Sequence, residues 1–322
     1  MVPCFMHSFG IILFLGDDKV IDMHYDLLHV LYQCYLRDDY TYVEDWIKSY
    51  NTHNVSGVIA NLYFMNSEEM REEFGDIEIN VLEMFKIATD LFKKYLPNVK
   101  VVFSIEGCDY IKDENELEEL YKLGLRNILL VWNNPNKYGS GNRSHNGLSE
   151  AGKSFLIKAI DLGICIDMSH MNRETFDDTI ELLRKQVRLN KKVKVIASHS
   201  NSFELCNHPR NLTDEQLRKL KEFDPIVGVV SYSRFVSNTG NYKEMYLKHI
   251  LHMINILGID HVGVSSDNME FYTYFCDGYA GEKIFEYSSI RRELEELLSE
   301  LKEEDREKIL YKSIYNKLFL EV

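Results

Sequence analysis

The sequence predicts an α/β fold, a (β/α)8 TIM barrel with extra C-terminal helices. Eight short β-branched runs alternate with longer amphipathic stretches along the chain. Such alternation indicates parallel βαβ units, and eight units favour a closed barrel over an open sheet. A chain of 322 residues with 45% hydrophobic residues also fits one domain of this size.

Each predicted strand is followed by a helix. The strands cover residues 19–26, 55–64, 99–106, 126–132, 164–169, 193–199, 226–232 and 261–267. The helices cover residues 79–95, 113–124, 149–163, 172–186, 213–223 and 244–257, with terminal helices over 291–310. Residues 113–124 show the logic, since carboxylates open the helix and Gly124 ends it. Residues 133–148, rich in Asn, Gly and Ser, predict an inserted loop.

One catalytic domain is predicted over residues 19–322, after an N-terminal extension over residues 1–18 that is disordered or non-native. The apolar part of this extension is too short to span a membrane. It also lacks the basic start and the small-residue cleavage site of a signal peptide, although an exported signal remains the alternative. No other segment approaches the roughly 20 unbroken apolar residues of a membrane span. We therefore expect a soluble protein.

Composition narrows the classes of partner. Acidic residues outnumber basic residues by 51 to 37, which gives a formal net charge of −14. Such a chain is a poor nucleic-acid binder and gains nothing at an anionic membrane, so neither partner is expected. The six cysteines form no C-x-x-C pair, which favours a reduced, cytoplasmic chain, although their even number leaves disulfides open. They are Cys4, Cys34, Cys108, Cys165, Cys206 and Cys276.

Metal-capable side chains stand at the carboxyl ends of the predicted strands, where such barrels place their active sites. The first strand carries Asp22, His24 and Asp26 at alternate positions, which share one face of a strand. The full set of polar strand-end residues is His24, Asp26, Glu106, Trp132, Asn133, Asp167, Ser169, His170, Ser198, His199, Ser200, Ser266 and Asp267.

Five of these residues predict a site for two metal ions. Imidazole and carboxylate ligands together suit zinc and its first-row neighbours. Five are too many for one tetrahedral ion with an open position, but they fit two ions that share a carboxylate. A lone histidine at a strand end is more often a satisfied polar residue, so their joint placement carries the prediction. The five ligands are His24, Asp26, Glu106, His170 and His199.

Two further carboxylates are expected behind the ligands. Asp167 could support His170, because metal-bound imidazoles usually need a carboxylate or carbonyl behind them. Asp22 is expected either in the same supporting role or as a polar residue of the barrel interior.

The chain resembles the membrane (renal) dipeptidase family of zinc metallopeptidases, within the amidohydrolase-like barrels. The motifs follow the family's order over about residues 20–267, and DMSH, SHSN and HPRNLTDEQ together are highly specific. HPRNL alone would mean little. The matching stretches are IDMHYDLL, FSIEGCD, LLVWNNPN, GLSEAGKSFLIKAIDLGICIDMSHM, VIASHSNSFELCNHPRNLTDEQ and GIDHVGVSSD.

The resemblance implies a metal-dependent hydrolase, a dinuclear zinc dipeptidase, with two zinc ions per chain. In this scheme His24 and Asp26 bind the first zinc, His170 and His199 bind the second, and Glu106 bridges both ions and serves catalysis. A hydroxide that bridges the ions would attack the peptide bond of a free dipeptide, L,L and also L,D. The family's habit further suggests a homodimer.

Two more roles follow from the resemblance. Arg210 would receive the terminal carboxylate of the substrate, a task that suits a bidentate guanidinium. Asp267 would be the acid/base that handles the proton of the attacking water or the substrate amine. Their ordinary alternatives are a surface arginine and a helix N-cap.

Trp132 is the main departure from the family pattern. Many members have a histidine at this position, where it steadies the substrate carbonyl. The indole N–H is a donor only, so Trp132 is expected to wall the substrate pocket or donate one hydrogen bond, and His145 is a candidate replacement. The strand-eight motif also differs, since it continues as SSDNME.

These departures leave two alternatives open. One is another amidohydrolase, acting on a cyclic amide, a lactone or an N-acyl amino acid, which Trp132 supports weakly. The other is a catalytically inactive metal-binding homologue, against which the complete ligand set argues.

Overall fold

Eight parallel strands close into a barrel in sequence order, which confirms the predicted fold class. The computed structural model describes residues 19–44, 55–64, 75, 78–268 and 282–320. The barrel closes where Asp22 of β1 pairs with Val264 of β8. The strands are β1 Val20–Tyr25, β2 Val55–Tyr63, β3 Lys100–Glu106, β4 Leu125–Leu129, β5 Cys165–Asp167, β6 Val195–Ala197, β7 Ile226–Val230 and β8 Val262–Ser265.

Helices cover the outside of the barrel, and the six predicted between strands lie within two residues of their expected ends. They are α1 Leu27–Arg37, α2 Val81–Tyr95, α3 Glu114–Leu123, α4 Glu150–Leu162, α5 Arg173–Arg188, α6 Asp214–Lys221, α7 Ser233–Val236, α8 Tyr242–Leu257, α9 Ile290–Leu297 and α10 Glu303–Glu307. Short 3-10 turns cover Ile259–His261 and Tyr287–Ser289, and π-helical segments cover Lys308–Lys312 and Tyr315–Phe319.

Local sequence signals explain where the helices begin and end. The side chain of Asp113 accepts from two backbone N–H groups at the start of α3, and that of Ser149 accepts from the backbone N–H of Gly152 at the start of α4. Gly124 and Gly163 end these helices with φ of 114° and 77°, a left-handed backbone that glycine adopts without strain. The connections after both helices are therefore short, and each strand starts at once.

The amino-terminal end of the barrel is filled with apolar side chains. Ile314, Leu318 and Phe319 of the C-terminal segment pack into the barrel interior. The fit is close, since a Cβ added at Gly263 would lie 2.6 Å from Met23 Sδ. The strand residues of this interior layer are Ile21, Met23, Ile59, Val102, Cys165, Ile196 and Ile226. With this end sealed, the polar residues gather at the carboxyl end.

The loop over residues 133–148 is present as predicted, and hydrogen bonds fasten it to the start of α5. Asn172 caps α5, since its Oδ1 accepts from Thr175 N at 2.7 Å. The other end of the same amide donates to the carbonyls of Ser144 and Asn146, at 2.8 and 2.9 Å. One buried side chain therefore fixes both the helix start and the loop beside it.

His249 of α8 fixes the segment that follows β6. Its Nδ1 accepts from Ser202 N at 3.1 Å, and its Nε2–H donates to the carbonyl of Val236 at 3.0 Å. The ring is fully buried, and burial lowers its pKa to about 4. The neutral imidazole is the form that this double hydrogen bond requires.

Among the described ranges, no helix has the length and apolar character needed to cross a membrane. Cys34, Cys108, Cys165 and Cys206 are free thiols, and all four are buried. The expected extension over residues 1–18 lies outside the described residues, so the predicted domain boundary at residue 19 stays a prediction.

We predict that Asn172→Asp loosens the loop alone, whereas Asn172→Ala also frays the start of α5. The aspartate keeps the cap but loses both donors to the loop carbonyls, while the alanine also loses about 1 kcal/mol of capping. Hydrogen exchange should rise at residues 141–146 in both variants and at the first turn of α5 only in N172A. Unchanged loop exchange in both variants would contradict the clamp.

We also predict that His249 makes the folded chain less stable as the pH falls. Its pKa is depressed on folding, so protonation favours the unfolded chain, and its stabilisation is lost as the pH falls from 6.5 towards 4. Between pH 7.5 and 5.0 this amounts to about 2 kcal/mol. The free energy of unfolding in urea should be measured for the wild type and for His249→Asn, both in the presence of a chelator. The difference between the two proteins should shrink by this amount from pH 7.5 to pH 5.0. A difference that stays constant with pH would show that His249 does not cause the loss of stability.

Candidate metal centre and catalytic site

All five predicted ligands lie together at the carboxyl end of the barrel, with Glu106 at their centre. Its Oε2 lies 3.3 Å from His24 Nε2. Its Oε1 lies 2.7 Å from His170 Nε2 and 3.6 Å from His199 Nε2. The two carboxylate oxygens thus face different imidazoles, which is the arrangement expected of a carboxylate shared by two sites.

Asp26 and Asp267 complete the side of the cluster that lies nearest β1. Asp26 Oδ1 is 3.4 Å from His24 Nε2, and Asp267 Oδ1 is 3.9 Å from the same nitrogen. The cluster contains two overlapping groups of three residues, and within each group the ligand atoms all lie within 4.8 Å of one another. They are His24, Asp26 and Asp267, and His24, Glu106 and His199.

Several atoms of this cluster are buried and make no hydrogen bond of good geometry to a described residue, although charged neighbours lie close to them. They are His24 Nε2, Asp26 Oδ1 and Glu106 Oε1. Buried polar atoms are rarely left unpaired, because their lost hydration is not replaced. Nitrogen and carboxylate donors are the ligands that zinc prefers. The donor set and its unpaired atoms therefore fit bound divalent metal ions.

The charges of the site are set by mutual pairing. Burial alone would raise the pKa of Glu106, but His24 and His170 hold it well below its ordinary value. Burial alone would lower the pKa of His24, but Glu106 and Asp26 hold it well above. Burial, helped by Arg210, lowers the pKa of His170 to about 3. His170 is therefore neutral, the form that binds metal ions.

Neutral side chains occupy the Nδ1 side of each imidazole. Asn61 Nδ2 lies 3.0 Å from His24 Nδ1, and Ser198 Oγ lies 2.9 Å from His199 Nδ1. Asn133 Oδ1 lies 3.0 Å from His170 Nδ1. Asn61 was not among the predicted residues, and an amide within the apolar run IANLYF is the signal that could have found it.

Asp22 and Asp167 bind backbone N–H groups and not the imidazoles. Asp167 was expected to support His170, and support of an imidazole was one of the two expectations for Asp22. Asp22 Oδ1 accepts from the backbone N–H of His24 and of Ser266, at 3.2 and 2.8 Å. Asp167 Oδ1 accepts from the backbone N–H of Ser169 and Ser198, both at 3.0 Å. Each carboxylate thus ties together the ends of two neighbouring strands, because strand ends leave N–H groups without ladder partners.

Asp267 follows β8 and projects towards β1. Its backbone N–H donates to the carbonyl of His24 at 3.1 Å, and its φ is 46°, in the left-handed region. Burial raises the pKa of its carboxyl to about 7. Asp26 and Glu106 also raise this pKa, whereas His24 lowers it. The side chain keeps 17% exposure. Asp267 is thus the ligand-cluster carboxylate that is open to a reacting molecule.

Arg210 is a buried cation at the edge of the ligand cluster, not a surface arginine. Its side chain is buried, and its Nη2 lies 2.7 Å from His199 Nε2. The guanidinium carbon lies 5.5 Å from the centre of the Phe235 ring. Burial lowers its pKa to about 10, which still leaves it charged at neutral pH. Among the described residues no carboxylate forms an ion pair with Arg210.

A cavity of about 380 Å³ opens beside the ligand cluster and includes Arg210 and His170 in its wall. The loop over residues 133–148 contributes His145 to the same wall, so the candidate replacement for a strand-four histidine does reach the cavity. Other residues that line it are Asn142, Ser144, Met171, Phe203 and Leu212.

Trp132 follows β4, and its ring stacks against two neighbouring rings. Its ring centre is 6.1 Å from that of His170 and 6.2 Å from that of Tyr63, with interplanar angles of 30° and 29°. The guanidinium of Arg143 lies over its face at 5.8 Å. Trp132 is not part of the wall of the cavity beside Arg210.

Comparison with known proteins relates the sequence to a family. The sequence model of the membrane dipeptidase family, peptidase family M19, matches residues 77–314. An uncharacterised protein in the pqqA 5′ region of Klebsiella pneumoniae is 35% identical over 181 residues, which are 52% of this chain and 64% of that protein. An uncharacterised dipeptidase of Schizosaccharomyces pombe, C965.12, is 30% identical over 200 residues, 58% of this chain and 46% of that protein. The chain thus spans about half to two thirds of these relatives.

A solved structure shares the whole fold. A metallo peptidase from Rhodobacter sphaeroides, bound to a phosphinate mimic of the dipeptide L-Ala-D-Ala, superposes with a TM-score of 0.73. The alignment covers 94% of this chain and 98% of that one, at 21% sequence identity. At this identity the likeness supports the barrel fold alone.

Proposed function

The chain belongs to the membrane dipeptidase family, peptidase family M19, as the resemblance implied, and from that premise we propose that it is a dinuclear zinc dipeptidase. The proposed ligands are His24 and Asp26 for one ion, His170 and His199 for the other, and Glu106 for both. When bound, zinc ions would polarise the scissile carbonyl and lower the pKa of a water molecule.

The observation that carries the proposal is the buried, positively charged Arg210 beside the ligand cluster. The carboxylates of Glu106 and Asp267 act on this charge, but none of the described carboxylates forms an ion pair with it. A buried charge without a direct ion pair is costly, so the site favours a ligand that brings an anion. A carboxylate matches the planar guanidinium with two parallel hydrogen bonds. The C-terminal carboxylate of a peptide is such a group, and it would lie in the cavity next to Arg210.

The short distance from Arg210 to the ligand cluster limits the substrate. Arg210 Nη2 is 2.7 Å from His199 Nε2, which is itself 3.6 Å from Glu106 Oε1. A carboxylate held by Arg210 therefore leaves room for one residue before the scissile bond. This spacing favours removal of a single C-terminal residue, and the resemblance narrows the substrate to a free dipeptide.

Asp267 is proposed as the acid/base. Its carboxylate is close to His24, and it is partly exposed where substrate would approach. From this position it can take a proton from the attacking water and return it to the leaving amine as the peptide bond breaks. Glu106 is also proposed to serve catalysis, as the carboxylate that both metal ions would share.

The cavity supports cleavage of L,L and also L,D dipeptides. With the carboxylate on Arg210, the side chain of the C-terminal residue can point into a volume of about 380 Å³ lined by Met171, Phe203 and Leu212. Such a space accepts either configuration at that residue. Trp132 is proposed as a wall of the substrate site on the side of β4.

A second candidate is another amidohydrolase activity, on a cyclic amide, a lactone or an N-acyl amino acid. The observation that favours it is the Trp132 ring, which stands where many family members have a histidine and cannot accept a hydrogen bond.

The proposal also retains two expectations from the sequence, a cytoplasmic location and a homodimer. Light scattering of the purified chain would test the homodimer.

We predict close to two zinc ions per chain, with cleavage of dipeptides that stops on chelation and returns when zinc is added. Elemental analysis should be paired with hydrolysis of L-Ala-L-Ala and L-Ala-D-Ala. Two ions without cleavage of any dipeptide would favour the second candidate. Fewer than one ion would contradict the ligand assignment.

We predict that Arg210→Met raises KM for dipeptides roughly ten- to hundredfold, because a charge-assisted hydrogen bond contributes about 1.5–3 kcal/mol. The wild type should prefer a free dipeptide to its C-terminal amide, and R210M should lose this preference. Arg210→Lys, which keeps the charge but not the bidentate fork, should lie between them. Equal discrimination by all three proteins would remove Arg210 from carboxylate binding.

A further inference from the structure

The backbone of His170 lies in a conformation that histidine rarely adopts. Its φ is 70°, in the left-handed region, three residues after the end of β5. A residue without the freedom of glycine stays there only when its surroundings hold it. The contacts of its imidazole should therefore show what holds it and why.

Asn133 supplies the polar contact. His170 Nδ1–H donates to Asn133 Oδ1 at 3.0 Å, which leaves the lone pair on Nε2. Nε2 faces the ligand cluster, 2.7 Å from Glu106 Oε1 and 2.9 Å from His199 Nε2. Because an amide does not titrate, this hydrogen bond selects the metal-binding tautomer at every pH at which the imidazole is neutral.

Trp132 supplies the apolar contact. Its ring stacks on the imidazole of His170, and the ring of Tyr63 in turn stacks on the indole. Tyr63 ends β2, and Trp132 follows β4, so rings from two strand ends limit the rotation of the imidazole. Neighbouring residues 132 and 133 thus act on one histidine from two directions.

The loop over residues 133–148 keeps both residues in place. Arg143 N–H donates to the carbonyl of Asn133 at 2.9 Å, and the Arg143 guanidinium covers Trp132. A Cβ added at Gly141 would lie 1.8 Å from the carbonyl oxygen of Trp132, so only glycine allows this approach. The end of β4 is therefore a built support and not a free loop.

We propose that Asn133, supported by the stacked ring of Trp132, is the positioning residue that sets the tautomer and orientation of His170 for metal binding. The inference rests on the proposed dinuclear metal site. In this proposal Trp132 and Asn133 both orient a metal ligand, and Trp132 does so in addition to its proposed contact with substrate. Partners of this kind commonly change metal affinity by ten- to hundredfold when removed.

The test is a Co²⁺ titration of the metal-free full chain, with affinities measured against a competing chelator. The wild type should bind two ions. Asn133→Ala should weaken one site by ten- to hundredfold and leave the other unchanged. Asn133→Asp, which still accepts from Nδ1–H, should stay within a fewfold of the wild type. Asn142→Ala, on the same loop and in the wall of the cavity, is the matched control and should bind as the wild type does.

Tryptophan fluorescence identifies the weakened site. The chain has two tryptophans, Trp46 and Trp132, so the quenching by Co²⁺ that disappears in Trp132→Phe belongs to the ring beside His170. In N133A this quenching should move to the higher Co²⁺ concentrations of the weakened site. W132F keeps a stacking ring and should bind both ions, whereas Trp132→Ala should weaken the same site as N133A.

Three results would overturn the proposal. They are wild-type affinity at both sites of N133A, an N133D variant as weak as N133A, and a wild-type chain that binds no metal. If the wild type binds two ions but cleaves no dipeptide, the proposed activity fails, while the comparison of affinities still decides the role of Asn133.

Discussion

The crowding of buried carboxylates and imidazoles at one end of the barrel is the constraint on which the rest of this structure depends. At the carboxyl end of the barrel, Glu106 lies against three imidazoles, and Asp26 and Asp267 lie against one of them. His170 Nε2 and His199 Nε2 approach to 2.9 Å, a distance that needs a shared proton or a cation. Such a cluster persists only where the scaffold holds each group rigidly. The surrounding features, from strand-end carboxylates to stacked rings, serve that purpose.

The scaffold meets this constraint by joining strand ends to one another. Asp22 binds backbone N–H groups at the ends of β1 and β8, and Asp167 does the same at the ends of β5 and β6. His170 and Asp267 have left-handed backbones within three residues of the ends of their strands, and their side chains lie in the cluster. Rigid support of this kind makes a site at the end of a strand more exact than one on a mobile loop.

The sequence predicted the barrel and the five ligand candidates because both follow from local patterns. β-branched runs mark the strands, and a histidine or carboxylate at the end of a run must lie at the mouth of a parallel barrel. What lies behind each ligand does not follow from such patterns. Asp167 was expected behind the imidazole of His170 but binds backbone N–H groups, and Asn133 makes the contact with that imidazole. A strand-end carboxylate can satisfy either partner, and only the register of neighbouring strands decides between them.

The apolar seal at the amino-terminal end of the barrel bears on how the chain folds. Ile21 and Met23 of the first strand share their layer with Ile314 and Phe319, from the far end of the described chain. The first strand also pairs with the last. Contacts between such distant residues form only after the costly closure of a long loop, and they slow folding. The inner layer should thus be among the last parts of the protein to form, and metal ligands at the ends of β1 and β8 should meet only after the strands between them have assembled.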